Sequence, residues 1–251
     1  MNTINIRTWN VDWFRNGKRT GEDWKYCIED CDINVYNGIV REIKSFLDKE
    51  SAVVFLQEVP YQIKQGSQWL ECDYHKKLYE DFPSDKYEIA ENTSDYVKRC
   101  TIAIFKKGVF VKNTGIYKPC NNRTISLKYC NITLLGVHMP TNFRRNDSED
   151  NMWLELIDFV KEAKNEKLII AGDFNSYIGC KEKLTEKRFL ELCRLAKDIV
   201  PDDIPTFIGG TPIDHIFLNF DPEQNYHVET QPYWVLSDHK YVQVELNCSS
   251  L

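Results

Sequence analysis

Apolar and polar positions along this chain fall into short runs of two periods, and those periods divide it into strands and helices. Thr3–Asn10 sets Ile4, Ile6 and Thr8 against Asn5, Arg7 and Trp9, the alternation of a strand. Val35–Leu47 carries Val35, Ile39, Ile43, Phe46 and Leu47 at helical spacing, which predicts an amphipathic helix. Ala52–Leu56 is a buried strand by its unbroken apolar run, and a mixed, helical segment is expected over 66–82. Strands are predicted at Tyr87–Ala90, Thr101–Phe105 and Val109–Ile116, followed by the alternating Arg123–Tyr129 and the apolar Ile132–Val137. Met152–Ala163 is helical by period, Leu168–Ala171 is a short buried strand, and Glu182–Ala196 is a helix with Leu184, Phe189, Leu192 and Leu195 on its apolar face. Ile213–Leu218 is a strand with a polar pair inside it, Val228–Leu236 alternates, and Tyr241–Leu246 is a final strand. Residues 11–34 and 141–150 follow no period and are expected to be loops.

No internal repeat, low-complexity tract or linker interrupts this order, so 1–251 is expected to be a single domain. Strands with interspersed helices throughout predict helices covering sheets. Hydrophobic residues at 42% and aromatics at 13% exclude a disordered chain. The formal charge of −6 excludes holding a polyanion by bulk attraction, so a phosphate-bearing partner needs a local patch or a metal. Met1 leads straight into a strand without the basic and apolar regions of a secretory signal, and no run approaches the ~18 apolar residues of a membrane span. The expectation is therefore a cytoplasmic protein with no membrane span, its nine cysteines free thiols and its Asn-x-Ser/Thr triplets chance matches. No obligate protein partner is evident.

The chemistry-bearing residues collect at strand ends. In Leu168–Ser176 an apolar run breaks at Gly172 and is followed by Asp173 and Asn175, which an extended backbone would present on one side. Similar polar signatures end or interrupt other apolar runs: Asn10, Glu58, His138, Asp214, and Asp238 with His239. Hard divalent cations take oxygen ligands, and Glu58, Asp238 and the Asn10 amide oxygen suit that role. The histidines are not spaced as a zinc site; Cys27, Cys31, Cys72 and His75 are a weaker grouping, for which unpaired thiols are the better reading. Ser237-Asp238-His239 contains the residue types of a hydrolase triad, but neighbours on a strand alternate faces and no Gly-x-Ser-x-Gly elbow occurs. A carboxylate-rich site with two histidines fits cleavage of a phosphate ester.

Thr8-Trp9-Asn10, Leu56-Gln57-Glu58, Val137-His138, Gly172-Asp173-Phe174-Asn175, Ile213-Asp214-His215-Ile216-Phe217 and Ser237-Asp238-His239, in this order, resemble the endonuclease/exonuclease/phosphatase superfamily over nearly the whole chain. The resemblance implies a four-layer α/β sandwich, two packed mixed β-sheets flanked by helices, with the site at one rim. It implies that Asn10, Glu58 and Asp238 form the metal side, with Mg2+ as cofactor and Mn2+ as a substitute. It implies that Asp173, with Asn175 beside it, orients or deprotonates the attacking water, that His138 donates to the phosphate, and that His239 faces the phosphate with Asp214 behind it. Arg123 is the candidate for a mid-chain phosphate contact, and His215 stands where the family often has Tyr. The expected activity is Mg2+-dependent phosphodiester hydrolysis on a nucleic-acid backbone, with Arg144 and Arg145 as substrate contacts. The competing expectations are a phosphatase or phosphodiesterase acting on a small metabolite or lipid head group, and a binding module without catalysis.

Overall fold

The structure is a computed structural model that describes residues 3–15, 31–65, 67–93, 96–113, 122–140, 147–222 and 226–247. Its frame is two six-stranded sheets. In the first, β1 (Thr3–Asn10), β2 (Ala52–Pro60), β5 (Tyr87–Glu91), β6 (Arg99–Lys106), β13 (Tyr226–Thr230) and β14 (Val242–Asn247) take the order β13-β14-β1-β2-β6-β5. In the second, β7 (Val111–Lys112), β8 (Thr124–Tyr129), β9 (Ile132–His138), β10 (Lys167–Asp173), β11 (Lys197–Asp198) and β12 (Asp214–Leu218) take the order β11-β12-β10-β9-β8-β7. Each sheet has one parallel pair at its centre, β1 with β2 and β9 with β10, and antiparallel neighbours around it. A parallel pair needs a crossover. Helix α1 (Ile33–Leu47) lies in the first crossover and α3 (Asp147–Glu162) in the second.

Three apolar clusters define the layers. Between the sheets, Ile4, Ile6, Val53, Phe55 and Phe105 of the first meet Ile125, Leu134, Ile169, Ala171 and Ile216 of the second. The alternate residues of the same strands, Val54, Leu56, Ile102 and Ile104, face outward and are covered by Ile39, Ile43 and Phe46 of α1 and Leu78 of α2 (Asp73–Asp81). On the far side Leu135, Val137 and Phe217 are covered by Trp153, Leu156 and Val160 of α3 and Phe189 and Leu192 of α4 (Lys183–Cys193). Strands covered on both faces must be apolar at nearly every position, which is why β2, β9 and β10 are mostly apolar. The four-layer α/β sandwich expected from the sequence is thus the observed architecture.

The differences are local. The segment 66–82 is helical only from Asp73; before it, β3 (Gln62–Gln65) and β4 (Gln68–Glu71) form a hairpin. Helix α1 starts two residues early because the Asp32 side chain accepts the Asn34 amide at 2.8 Å and caps it. Helix α3 starts at Asp147, inside the expected loop, and α4 is shorter than Glu182–Ala196. The pairing of Val228–Leu236 ends at Thr230, and Val109–Ile116 is described only to 113, with strand at Val111–Lys112. Of the loop expected over 11–34, residues 16–30 lie outside those described. Gly172 is required by a close approach: a Cβ there would sit 2.0 Å from the Val137 carbonyl oxygen of the adjacent parallel strand. Trp9, Trp153 and Phe174 are fully buried core residues, as expected.

Candidate active site

The central strands of the two sheets deliver their carboxyl ends to one cleft of about 590 Å³. Asn10 ends β1, His138 ends β9 and Asp173 ends β10, with Asp173 in register with His138 on one side and Asp214 on the other. Glu58 enters from β2 at a bulge between Leu56 and Val59, with its backbone in the left-handed region at φ +57°. A bulge re-aims a side chain that regular pairing would direct elsewhere. Asp238 and His239 come from the segment before β14, which is pinned to the 206–208 turn by Ile208 N–H to Asp238 O and Lys240 N–H to Thr206 O. Ser237 is a brace rather than a nucleophile: its hydroxyl donates to Asn10 O at 2.7 Å and accepts the His239 amide at 3.1 Å. Trp9 Nε1–H adds a bond to His239 O.

Asp173 is the hub. Asn10 Nδ2 donates to its Oδ2 at 2.9 Å, and the Asn175 amide N–H donates to its Oδ1 at 2.8 Å. Asn10 Oδ1 in turn accepts the Asp12 amide, so both ends of that side-chain amide are fixed by partners of opposite type. His138 Nε2 lies 3.7 Å from Asp173 Oδ2 and 3.6 Å from Glu58 Oε1. His239 Nε2 lies 4.0 Å from both Asp173 Oδ2 and Asp238 Oδ1. Behind it, His239 Nδ1 bonds Asp214 Oδ2 at 2.8 Å. Asp214 and His239 are 25 positions apart in sequence, and the pairing expected of them is present. The polar residue inside the Ile213–Leu218 strand is there to hold a ring.

Burial and charge set the protonation of these groups. Burial raises the Asp173 pKa to about 7; Asp214 adds to the rise, while His239, Asn10 and Asn175 oppose it. Burial works against a charged His239, but Asp214, Asp173 and Asp238 outweigh it and hold its pKa up at about 10. His138 is pushed the other way, well below its ordinary value, by burial and by the charges of Arg123, Arg99 and His239. One imidazole is therefore a cation and the other neutral.

Asn10, Glu58, His138, Asp173, Asn175, Asp214, Asp238, His239 and Arg123 are all brought together, with Asp214 just behind the cleft wall. Asn175 arrives differently from the reasoning that pointed to it. Its backbone is left-handed at φ +49°, not extended, and its side-chain Nδ2 donates to Met139 O at 2.9 Å, so it shapes the turn under Asp173. Arg123 lines the cleft and donates to His138 O at 3.2 Å. Arg144 and Arg145 lie outside the described residues, as does Cys27. Lining residues not anticipated as site residues include Asp12, Arg99, Tyr177, Phe207, Thr211 and Ile213. Arg99 bonds Glu58 Oε1 at 2.5 Å, and a basic residue just ahead of the Thr101–Phe105 run was its signal in the sequence. Asp12 pairs with Arg15, which also lines the cleft.

The cleft fits a hard divalent cation. Its acidic groups, Asp12, Glu58, Asp173 and Asp238, all offer carboxylate oxygen. A buried grouping of Asp173, Asp214 and His239 also brings three ligand atoms within 4.8 Å of one another. Within that grouping Asp214 and His239 already bond each other, and across the cleft Glu58 Oε1 bonds Arg99.

No family's sequence profile matches the chain, and no curated protein sequence does. Solved structures do. An AP endonuclease from Archaeoglobus fulgidus superposes with a TM-score of 0.66 at 14% identity, over 97% of this chain and 99% of that one. The 3'-5' exonuclease NExo from Neisseria meningitidis gives 0.64 at 16% identity, over 97% and 100%. A Neisseria 3' phosphatase NExo variant bound to product DNA hairpin gives 0.62 at 15% identity, over 97% and 99%. The chain has the fold of these proteins, the fold that its polar strand-end signatures imply.

Proposed function

We propose that this protein is a divalent-metal-dependent phosphoric ester hydrolase that cuts a nucleic-acid backbone by in-line attack of water. The observation that carries the reading is the convergence of a cationic and a neutral imidazole on one buried carboxylate, with each ring 3.7–4.0 Å from Asp173 Oδ2. A phosphoryl group in the cleft presents oxygens that gain charge in the transition state, and preorganised donors around that position stabilise it. His239 is such a donor, its tautomer and orientation fixed by Asp214. His138 supplies a neutral N–H, and the guanidiniums of Arg99 and Arg123 line the same cleft. Asp173, with each oxygen already holding one donor, orients the attacking water and takes its proton. Glu58, Asp238 and Asn10 would hold Mg2+, or Mn2+ in its place, and the ion supplies the positive charge that neutralises the phosphoryl oxygens. The likeness in fold to nucleases supports a nucleic-acid substrate, and Arg144 and Arg145, together with Arg15, are the basic residues assigned to its backbone.

The cleft volume favours a second reading, since about 590 Å³ is the size of a small-molecule pocket. A phosphorylated metabolite or lipid head group would then be the substrate. Both readings are tested by incubating labelled single- and double-stranded DNA and RNA, and inositol phosphates, with the protein and Mg2+. Cleaved oligonucleotides, and no cleavage in excess EDTA, are the expected result. Intact oligonucleotides with released inorganic phosphate would replace the first reading by the second.

A further inference from the structure

On the helical face of the first sheet, from residues that do not line the cleft, a second cluster of ligating atoms is assembled from three elements. His75 of α2 is buried, with Nε2 2.8 Å from Glu91 Oε2 at the end of β5. Cys100 of β6 is buried beside them, and the three ligand atoms lie within 4.8 Å of one another. Glu91 pairs with Ile102 across β5 and β6, so Glu91 and Cys100 project from the same face of the sheet, two residues apart in register. The other ring nitrogen of His75, Nδ1, bonds Glu71 Oε1 at 2.8 Å. A metal-ligating histidine has its other nitrogen held by a carboxylate that fixes the tautomer and raises basicity, and Glu71 stands in that position, while Nε2 bonds Glu91, itself a candidate ligand. Tyr61 and Tyr79 pack edge-on against the ring, with centroids at 4.8 and 5.5 Å, and lock its orientation.

We infer that His75 Nε2, Glu91 and Cys100 Sγ bind Zn2+, with Glu71 as the supporting carboxylate and water in the fourth position. The donor set decides the metal. Imidazole, thiolate and carboxylate together suit zinc, whereas the all-oxygen acidic groups of the cleft suit Mg2+. The distances require little movement. Ligands about 2.0–2.3 Å from a tetrahedral ion stand roughly 3.2–3.7 Å apart, so the His75–Glu91 contact opens slightly and the sulfur closes in. Binding displaces two protons, the Cys100 thiol proton and the one held between His75 Nε2 and Glu91, and the ion takes the place of that hydrogen bond. The position also gives the ion a structural role. Cys100 is the register partner of Val59, its sulfur faces Val59 O at 3.8 Å, and the next residue back is Arg99, which bonds Glu58. A zinc ion here clamps α2 to the strand pair that carries the Glu58 bulge. This cluster differs from the cysteine-rich grouping considered from sequence: the two ring nitrogens of His75 face Glu71 and Glu91, not Cys31 or Cys72.

The test is a titration of the full-length reduced protein with Co2+ and then Zn2+, in excess Mg2+ so that the oxygen-ligand cleft is filled. Thiolate-to-cobalt charge transfer in the near ultraviolet, saturating at one ion per chain and bleached by Zn2+, is expected. Cys100→Ser should abolish that band, His75→Gln should weaken binding at least ~100-fold, and Glu71→Gln should weaken it ~10-fold. No band in the wild-type protein would overturn the inference without any variant. A band that survives Cys100→Ser and is lost in Cys72→Ser would overturn it too, by moving the site to other thiols.

Discussion

Strand β12 holds two Asp–His pairs on successive residues, and they have opposite fates. Asp214 points to the cleft side and bonds His239 Nδ1 at 2.8 Å, leaving Nε2 toward Asp173. His215, the next residue, points the other way. Its Nδ1 bonds Asp198 Oδ2 at 2.6 Å, its Nε2 bonds Ser176 O at 2.9 Å, and the rings of Phe174, Phe189 and Phe217 pack around it. Both histidines are buried, both face a carboxylate, and both have raised pKa values. Composition, burial and proton affinity do not separate a working imidazole from a structural one. The second ring nitrogen does: at His239 it faces the cleft, and at His215 it is already spent on a carbonyl.

Breaking the open pair at its far end should have the largest effect. Asp173→Asn removes the carboxylate that His239 faces, and turnover should fall ~10³-fold or more while bound substrate is still retained in a filter assay. A variant keeping a tenth of the wild-type rate would remove Asp173 from the chemistry. Next, Asp214→Asn and Asp198→Asn set the two pairs against each other. The first should lower kcat ~10²–10⁴-fold through a misoriented ring, with a smaller change in KM. The second should leave kcat per folded molecule unchanged and cost about 1–3 kcal/mol in urea unfolding, because it weakens a partly buried charged hydrogen bond. Equal losses of kcat in both would erase the distinction.

The smallest effect concerns pH. Burial opposes the charged form of His215, but Asp198, Ser176 O and Asp214 together raise its pKa above the ordinary 6.5. A folded pKa above the unfolded one adds stability that is complete below 6.5 and disappears as pH rises through the folded value. Unfolding free energy should therefore decline above pH 6.5, by at most ~1.4 kcal/mol per pH unit from this group. His215→Asn should remove that part of the slope, and an unchanged slope would assign it elsewhere.

Strand ends were legible in the sequence because an apolar run that stops at Asn10, Glu58, His138 or Asp173 states both where the backbone is buried and where it emerges. Asp214 was legible for a related reason: a carboxylate inside an apolar strand has to be bonded. The β3–β4 hairpin was not, since four-residue strands made mostly of Gln, Lys and Glu have too few apolar positions to show a period of two. Nor was the turn at 12–14, where Asp12, Trp13 and Phe14 all have positive φ, between 39° and 59°. No side chain among them announces a left-handed backbone as glycine would. Tertiary burial of Trp13 and Phe14 imposes it, and that is invisible from local sequence. The same turn carries Asp12 and Arg15 to the cleft, which is why Asp12 went unanticipated.

The left-handed backbone at Glu58 sets heat resistance against the metal-holding role proposed for its carboxylate, at a single codon. A non-glycine residue held there costs about 1–3 kcal/mol. Replacing it by glycine relieves that strain, against roughly 0.5–1 kcal/mol of extra chain entropy and at most about 1 kcal/mol for a partly exposed pair with Arg99. The balance runs from about 1 kcal/mol lost to about 2.5 kcal/mol gained, and the carboxylate is gone. A breeding programme that scored only survival at high temperature would have no safeguard against losing the group proposed to hold the metal, and would have to be scored on product formed as well.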